Sequence, residues 1–488
     1  MHLKKIMLPA LLWLAGTFVH AQTTPECGDA NTPTGNPGPP TIAPIPDDLP
    51  LIPPSTSPTA GKRIVYYLHG LGGNEGSWSV AGAEMMKNFP NALSRFPDYS
   101  EFLNNSLPSA ALVVRNNSNY RGLLAANEGA NATFNIDPES NYVIGSSLGA
   151  VVAREMDRQF GESGDPYRMG GFVGFGGSNL GAGIVNGKED LKKMAIGACE
   201  SLLPGPALDK LPPFWINLLG IGEKVTDITD RFCVIATGVL TSTLLGQFDQ
   251  AIAEDIAEGS PYLHDLNAYL SDKPKVAFYG IEDEPVFWRT MQFSGVFGVG
   301  ANSFPPWGAY NDQRLWDDVQ MAHARYEEKY RDYWHKYEWH KSRGHNRKAW
   351  GYRDKAIAWG CGAYWWETSN DQFKTAIRLR ELGTITEIKY GCLCTGGGPP
   401  IKTIGSCPPT PPGYNCMQLN MAFEVPVWID HPNDGIVRAS SAKFLPNATH
   451  GPVLMPGSNH FSNRNDPNTK DCLFGLYDGI YGLYFKIE

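Results

Sequence analysis

One strand–turn–helix segment constrains the fold of this chain more than any other feature of its sequence. The apolar run Asn141–Ile144 is followed by the pentapeptide GSSLG at 145–149, and a helical pattern starts at once with Ala150–Met156. A strand that turns so abruptly into a helix needs small residues on both sides of the turn, because the two backbones come close together. The segment therefore predicts a buried strand that leads through a tight turn into a helix.

Several further apolar runs are rich in β-branched and aromatic residues, as strands covered on both faces should be. They are Arg63–Leu68, Ala110–Arg115, Met169–Phe175 and Lys275–Tyr279. Helical patterns lie between several of these runs, and Leu148–Phe160 is the clearest. This alternation predicts an α/β fold with a mainly parallel sheet, flanked by helices and joined by right-handed crossovers.

The remaining segments divide the chain further. Residues 1–21 combine two lysines, a short apolar stretch and a small-residue cleavage site, which together predict a cleavable signal peptide, with a membrane anchor as the alternative. Residues 22–60 are rich in Pro, Thr and Gly and predict a solvated linker. We expect residues 61–488 to form one domain with two insertions, a helical cap at 182–262 and a helical, cysteine-containing segment at 286–420.

The second insertion contains an aromatic and apolar stripe whose members recur at steps of three, four or seven, as on one face of a long helix. The stripe consists of Trp316, Val319, Tyr326, Tyr330, Tyr333 and Tyr337. We expect it to pack on a second helix around Ala349–Leu382. Contact of the stripe with a membrane or lipid is the alternative.

Four of the nine cysteines crowd one stretch rich in Gly and Pro. They are Cys392, Cys394, Cys407 and Cys416. No histidine lies among them and their spacing differs from the usual pair of zinc knuckles, so we expect disulfides that staple a long loop, in a pairing the sequence leaves open. Cys199 and Cys233 are candidates for a further bridge.

Ser147 is the central serine of GSSLG and the candidate nucleophile. The GxSxG pattern between a strand and a helix places this serine at the carboxyl end of the sheet, where the helix amino terminus favours developing negative charge. An ordinary Gly-Ser turn is the alternative interpretation, and Ser146 does not occupy the central position. We therefore expect Ser147 to attack a carbonyl carbon.

The glycine-rich segment HGLGG at 69–73 follows the first predicted strand. Acyl transfer passes through a tetrahedral oxyanion, which aimed N–H groups must stabilise. One donor is expected from the residue after the nucleophile, Leu148, and the other from this loop, for which we choose Leu71. We expect His69 to hold the loop rather than to transfer protons.

The candidate base is His460, in the segment GSNHF after the apolar run Pro452–Met455. His431 and His450 are weaker candidates because they do not follow a strand in this way. The candidate acid is Asp434, in the segment NDGIV after the predicted strand Glu424–Ile429, since the order Ser, acid, His is the one this architecture uses.

The alternative acid is Asp283, or its neighbour Glu282, at the end of the predicted strand Lys275–Tyr279. A strand end is also a place where a catalytic acid can lie. Further along the chain, Phe297, Phe304 and Trp307 lie in a segment rich in Gly and Pro. These three are candidates to line an apolar groove for the substrate.

In this order the motifs resemble those of bacterial lipases and related lipase-like α/β-hydrolases, including the inositol-deacylase-like group. The HGLGG, GSSLG, NDGIV and SNHF segments match, and Gly259–Leu263 resembles the return from a lipase lid. The resemblance covers about residues 62–182, 256–284 and 420–465. It implies the α/β-hydrolase fold, helical cap insertions and the triad Ser147, Asp434 and His460.

Some of these lipases bind calcium near the histidine loop, and Asp466 and Asp471 are possible ligands here. An octahedral set of oxygen ligands is not recognisable in the sequence, so we predict no metal, and we expect no cofactor. The net charge of −9 is diffuse and without a basic block, which argues against a nucleic-acid partner.

The sequence thus predicts a secreted or periplasmic serine hydrolase that cleaves carboxylic esters of lipids or other acyl groups. The alternatives are an amidase or peptidase with the same triad, and a catalytically inactive exported binding protein. We expect an ester or lipid substrate, transient contact with a lipid interface and no stable protein partner.

Overall fold

A computed structural model of the protein describes residues 62–116, 138–202, 204–209, 246, 250–282, 309–396, 398–404, 406–407, 409–410 and 412–488. These residues divide into two compact units. The first comprises the described residues up to Leu379 together with Pro432–Glu488, and the second is the segment Arg380–His431.

The first unit is built around a six-stranded sheet with the order β2-β1-β3-β4-β5-β9. Its strands are β1 (Arg63–Leu68), β2 (Ala92–Arg95), β3 (Tyr142–Ser146), β4 (Gly171–Phe175), β5 (Lys275–Ile281) and β9 (Val453–Pro456). Every pair of neighbouring strands is parallel. Central β3 leads straight into a helix, and together these features define the α/β-hydrolase fold that the sequence predicts.

Helices flank the sheet and extend the unit. They are α1 (Ser79–Asn88), α2 (Leu107–Asn116), α3 (Leu148–Ser163), α4 (Gly183–Asn186), α5 (Lys188–Leu202), α6 (Pro204–Asp209), α7 (Ala251–Asp255), α8 (Pro261–Ala268), α9 (Ala309–Ser342), α10 (Asn346–Ala376), α11 (Ala439–Lys443) and α12 (Pro467–Tyr477). Among the described helices, none has both the length and the hydrophobicity needed to cross a bilayer.

Both faces of the central part of the sheet are covered, which explains why β1, β3, β4 and β5 are largely apolar and buried. In β1, Ile64 and Tyr66 belong to one buried cluster and Val65 and Tyr67 to another. The first cluster includes residues of α2 and α3, and the second includes residues of α1 and α12. This burial on both faces confirms the interpretation of the continuous apolar runs.

The interpretation of Ala110–Arg115 as a strand is wrong, because these residues belong to helix α2. Leu107, Ala110, Ala111 and Val114 are its buried residues, and they recur at the three- and four-residue spacing of one helix face. The run Leu112-Val113-Val114 has the composition of a strand, but the apolar residues around it recur with the periodicity of a helix, and the segment is helical. Strand β2, at the edge of the sheet, was not predicted.

Helices α9 and α10 form a long antiparallel hairpin. The ring of Tyr326 lies 4.7 Å from that of Trp359, and Tyr333 and Tyr337 are buried. This part of the aromatic stripe packs on the second helix as predicted. Tyr330 is more exposed than these three, and the side chains of Trp316 and Val319 lie outside the described part of the chain.

The second unit is an antiparallel sheet with the order β7-β6-β8. Its strands are β6 (Arg380–Gly396), β7 (Gly398–Ile404) and β8 (Tyr414–Asp430). The helical interpretation of residues 286–420 therefore needs correction, because from Arg380 onward this segment forms strands. The consecutive β-branched residues Thr384-Ile385-Thr386 favour a strand over a helix in this part of the segment.

Two disulfides staple this small sheet, as predicted for the clustered cysteines. One joins Cys392 to Cys407 and the other joins Cys394 to Cys416. In the first unit Cys361 is also disulfide-bonded, whereas Cys472 is buried and unbonded. The candidate bridge between Cys199 and Cys233 falls on side chains outside the described part of the chain.

Candidate active site

Ser147 occupies a sharp turn between β3 and α3. Its backbone has φ 55° and ψ −123°, a conformation that L-residues adopt only under constraint. The Ser147 amide donates to the Phe175 carbonyl oxygen at 2.9 Å, which ties the turn to strand β4. The side chain is therefore held at the carboxyl end of the sheet, as the GxSxG pattern predicts.

The two glycines of GSSLG are required by close backbone contacts. A methyl group at Gly145 would lie 2.3 Å from the carbonyl carbon of Gly149. A methyl group at Gly149 would lie 2.6 Å from the carbonyl oxygen of Leu68 and 2.7 Å from that of His69. Strand β1, strand β3 and helix α3 can approach this closely only because side chains are absent at both positions.

The three side chains predicted from separate motifs lie together in the structure. The Ser147 Oγ and the His460 Nε2 are 2.8 Å apart, and the His460 Nδ1 and the Asp434 Oδ2 are also 2.8 Å apart. The Asp434 side chain is fully buried, whereas that of His460 is 10% exposed. A hydroxyl, an imidazole and a carboxylate thus form one continuous hydrogen-bonded chain. It runs from the buried Asp434 to the partly exposed His460 and Ser147.

Backbone groups fix the orientation of the Asp434 carboxylate. Its Oδ1 accepts from the amides of Ile436 and Val437 at 3.2 and 2.8 Å, which leaves Oδ2 for His460. The Asp434 carbonyl oxygen also accepts from the His460 amide at 2.7 Å. The acid and the base are therefore joined both by side chain and by backbone.

The loop that carries His460 is held by its own polar side chains. The Asn459 Oδ1 accepts from the amides of Phe461 and Ser462 at 3.1 and 3.0 Å. Asp466 accepts from the Thr469 amide at 2.7 Å and so caps the amino terminus of α12. Of the two possible calcium ligands, Asp466 therefore caps a helix with its carboxylate, and Asp471 is exposed on the same helix.

The HGLGG loop lies directly against the nucleophile. A methyl group at Gly70 would lie 2.9 Å from the Ser147 Cβ. Leu148 is the first residue of α3, so the helix itself offers no carbonyl to its amide. Leu71, two residues after His69, packs against the buried cluster that includes residues of β1 and α3. The loop and the helix terminus thereby bring the two predicted oxyanion donors to the same end of the sheet.

The His69 side chain contacts its own loop and the segment at Asp98 and Tyr99. Its ring stacks on Tyr99 with centroids 4.0 Å apart, and its Nδ1 lies 2.9 Å from the Gly70 carbonyl oxygen. The Tyr99 hydroxyl donates to the His69 carbonyl oxygen. Burial lowers the pKa of His69, although Asp98 at 3.5 Å opposes this shift. An imidazole held by these contacts suits a structural role.

The competing histidines bind elsewhere. The His431 Nε2 lies 2.9 Å from the Glu381 Oε1 in the second unit. The His450 Nδ1 lies 2.7 Å from the Gly451 carbonyl oxygen. His460 is therefore the predicted base that contacts Ser147.

Of the competing acids, Glu282 lies beside the acid loop. The Glu282 amide donates to the Asn433 carbonyl oxygen at 2.7 Å, and Asp434 supplies the oxygen bonded to the imidazole. Asp283, Phe297, Phe304 and Trp307 lie outside the described part of the chain.

The polar side chain of Asn463 lies near the site and was not predicted from the sequence. Ser146 is buried and donates to the Asn463 Oδ1 at 3.2 Å. Gly176, with φ 56°, lies where a methyl group would meet the Asn463 Nδ2 at 2.2 Å and the Asp434 Oδ2 at 3.0 Å. The SNHFSN segment could have indicated Asn463, since it follows the base by three residues.

An ion-pair cluster braces the acid loop from the side of the first insertion. The Glu258 carboxylate lies 3.6 Å from the Arg378 Nη1 and 3.7 Å from the Arg438 Nη1. The Arg438 Nε also donates to the Arg378 carbonyl oxygen at 2.6 Å. Since Glu258 directly precedes the Gly259–Leu263 segment, the return from the insertion is tied to the loop that carries Asp434.

Comparisons with known proteins give distant structural similarity alone. No family model matches the sequence, and no curated protein matches it. The solved structure of the phospholipase PlaB from Legionella pneumophila aligns with a TM-score of 0.27 at 11% identity, covering 46% of this chain and 39% of that one.

Two other solved structures align at a similar level. The RedJ thioesterase of the prodiginine pathway in Streptomyces coelicolor gives a TM-score of 0.25 at 13% identity, over 47% of this chain and 71% of that one. The peroxisomal alpha-beta-hydrolase Lpx1 from Saccharomyces cerevisiae gives 0.25 at 13% identity, over 46% and 63%. The assignment of the fold depends on the order of the strands and on the turn at Ser147.

Proposed function

We propose that this protein is an exported serine hydrolase, similar to bacterial lipases, that cleaves carboxylic esters of lipids or other acyl groups. The observation that carries the proposal is the hydrogen-bonded chain from the Ser147 Oγ through His460 to Asp434. Such a chain activates a hydroxyl that is otherwise a weak nucleophile.

In the first half of the reaction, His460 Nε2 accepts the proton of the Ser147 hydroxyl as Oγ attacks the ester carbonyl carbon. Asp434 keeps the remaining imidazole proton on Nδ1 and stabilises the positive charge that develops. The amides of Leu71 and Leu148 donate to the oxyanion. When the C–O bond breaks, the leaving alcohol takes the proton from His460, and an acyl-enzyme remains.

In the second half, water replaces the alcohol. His460 accepts a proton from this water as its oxygen attacks the acyl carbon, and the same donors stabilise the second oxyanion. The Ser147–acyl bond then breaks, Oγ takes the proton from His460, and the carboxylic acid leaves. Every proton is carried by residues of this chain, so the proposed reaction needs no cofactor.

The amino-terminal pattern and the cysteine chemistry support export. The charged start, apolar stretch and Val19-His20-Ala21 sequence have the form of a signal peptide. Disulfides such as Cys392–Cys407 persist mainly in oxidising compartments. A periplasmic or extracellular location satisfies both observations.

The test compares Ser147→Ala with Ser146→Ala in the purified protein. Ser147→Ala should abolish fluorophosphonate labelling and reduce nitrophenyl ester turnover by several orders of magnitude. Ser146→Ala is the matched control, since it removes a neighbouring hydroxyl that faces Asn463, and it should retain labelling and measurable turnover. Labelling that persists without the Ser147 hydroxyl would contradict the assignment.

The nature of the substrate is tested with one acyl group on different leaving groups. Matched esters and anilides, over short and long acyl chains, should show turnover of the ester and little of the anilide. Faster cleavage of the anilide would make the protein an amidase. A protein that is neither labelled nor active on any ester would be a binding protein.

A further inference from the structure

The turn of the α9–α10 hairpin is strongly basic, contrary to the interpretation of the charge as diffuse. We define the hairpin tip as residues 339–353. It contains Lys341, Arg343, Arg347, Lys348 and Arg353 and no acidic residue. With five positive charges in the tip and −9 for the whole chain, the remaining residues carry −14. Positive charge is therefore concentrated at one end of the hairpin.

Large aromatic side chains are exposed at the same place. Trp339 and Trp350, which flank the turn, are 43% and 46% exposed. Trp334, one turn before the tip, is 36% exposed. In the body of the hairpin Tyr333 and Tyr337 are buried between the two helices, whereas Tyr330 and Tyr364 are exposed there as well. Exposed apolar side chains that cluster beside charged residues are typical of surfaces that contact a protein or a membrane.

The cations and the indoles are arranged in pairs. The Arg343 guanidinium lies over the Trp339 ring, 4.3 Å from its centroid, and the Arg353 guanidinium lies 4.8 Å from that of Trp350. Each pair presents an apolar ring edge beside a positive group. This is the combination that the headgroup region of a membrane accepts, since indoles favour the interface and cations favour lipid phosphates.

The other end of the hairpin packs near the active site. Phe373 and Ala376, at the end of α10, belong to one buried cluster with Ile436 and Val437 of the acid loop. The 31 residues of α10 span roughly 45 Å at 1.5 Å per residue, so the tip lies at the far end of a long, rigid element.

We propose that the hairpin tip binds the surface of a bilayer that contains anionic phospholipids. Trp339 and Trp350 enter the headgroup region, and the neighbouring lysines and arginines bind lipid phosphates. The inference goes beyond ester hydrolysis and does not depend on it, because a soluble ester needs no such surface. It assigns the expected lipid contact to the hairpin tip rather than to the aromatic stripe.

A bilayer fits this tip better than a nucleic acid does. Outside the tip the chain carries −14, and this negative charge opposes the approach of a long polyanion such as a nucleic acid. Two exposed indoles also suit an interface that is apolar on one side and charged on the other.

The test measures sedimentation of the full chain with vesicles, in the Ser147→Ala background so that no lipid is consumed. Vesicles are made of phosphatidylcholine alone or of equal parts phosphatidylcholine and phosphatidylglycerol. The protein should bind the mixed vesicles, bind phosphatidylcholine alone far more weakly, and lose affinity as salt is added. Since hydrolysis is not measured, failure of the proposed enzyme activity would leave this result unaffected.

Charge variants locate the surface. Lys341→Gln with Lys348→Gln should weaken binding by about fivefold per residue, or on the order of 30-fold for the pair. Lys87→Gln with Lys402→Gln is the matched control, because both lysines are exposed and lie outside the tip. Equal losses in the two pairs, or no loss in the first, would overturn the proposal.

Aromatic variants separate insertion from simple electrostatic attraction. Trp350→Ala should weaken binding to mixed vesicles at least several-fold and remove part of the fluorescence change on binding. Trp428→Ala is a close control, since Trp428 is 51% exposed and Arg380 lies over its ring at 5.4 Å. If Trp428→Ala has the larger effect, or if the tip binds duplex DNA but no vesicle, the lipid assignment is wrong.

Discussion

At the scale of single residues, the Asp434 carboxylate is oriented by its neighbours, just as it orients the His460 imidazole. Two amides of its own loop bind Oδ1, and the imidazole binds Oδ2. A fully buried carboxylate needs this number of partners, because an unpaired buried charge is costly. Substitution at this position therefore tests orientation of the base rather than general packing.

Asp434→Asn should reduce kcat by about 10⁴-fold while the protein remains folded. An asparagine keeps the shape of the side chain but can present its NH₂ to Nδ1, which favours the wrong imidazole tautomer. Turnover of a nitrophenyl ester and the circular dichroism spectrum measure the two effects. Asp283→Asn should change turnover much less, and the reverse ranking would move the acid to the segment after β5.

The sequence predicts site residues where a motif ties chemistry to a strand end, as it does for Ser147 and His460. It does not predict Asn463 as a partner of Ser146, or Glu258 as a partner of Arg378 and Arg438. These contacts join residues that are far apart in sequence, and no local periodicity links them. Only the tertiary arrangement brings such groups together.

At the scale of elements, the turn between β3 and α3 depends on contacts among three backbones. Helix α3 begins so close to the end of β1 that Gly149 faces the carbonyl oxygens of Leu68 and His69. The sequence indicates this element well, because glycines flank the serine. The same reasoning misassigns α2, since β-branched residues in a short run favour a strand while burial follows a helix face.

Gly149→Ala should lower the free energy of unfolding by about 1–3 kcal/mol, because the new methyl group overlaps fixed backbone atoms. Thermal or urea unfolding measures the change. Gly451→Ala is the matched control, since no described atom lies within 4 Å of its added methyl group, and it should stay within about 0.5 kcal/mol of the parent. Equal stability of both variants would show that the turn relaxes easily.

At the scale of the whole molecule, the two units are stabilised in different ways. The larger unit buries apolar clusters on both faces of a parallel sheet. The smaller unit, Arg380–His431, leaves Ile388 and Tyr390 largely exposed and contains two disulfides. A segment this short cannot bury a large core, so cross-links are expected to contribute much of its stability.

Replacing both Cys392 and Cys407 by Ala should destabilise the small sheet by about 3 kcal/mol, the value expected for a closed loop of 15 residues. Hydrogen exchange should speed up in β6 and β7, while β1 and β3 serve as internal references. Cys472→Ala removes a cysteine without removing a cross-link, so it should leave exchange in β6 and β7 unchanged. Unchanged protection in the double variant would mean that packing alone holds the sheet.

The contact between Ser147 and His460 joins residues that are 313 positions apart. At about 5–20 residues per second, a ribosome needs roughly 15–60 s to pass from the codon of the nucleophile to that of the base. Throughout that interval the nascent chain carries a serine without its proton acceptor. The proposed enzyme is therefore inert until the segment that carries His460 has been made, and if it crosses a membrane unfolded, its chemistry begins only after that segment has followed.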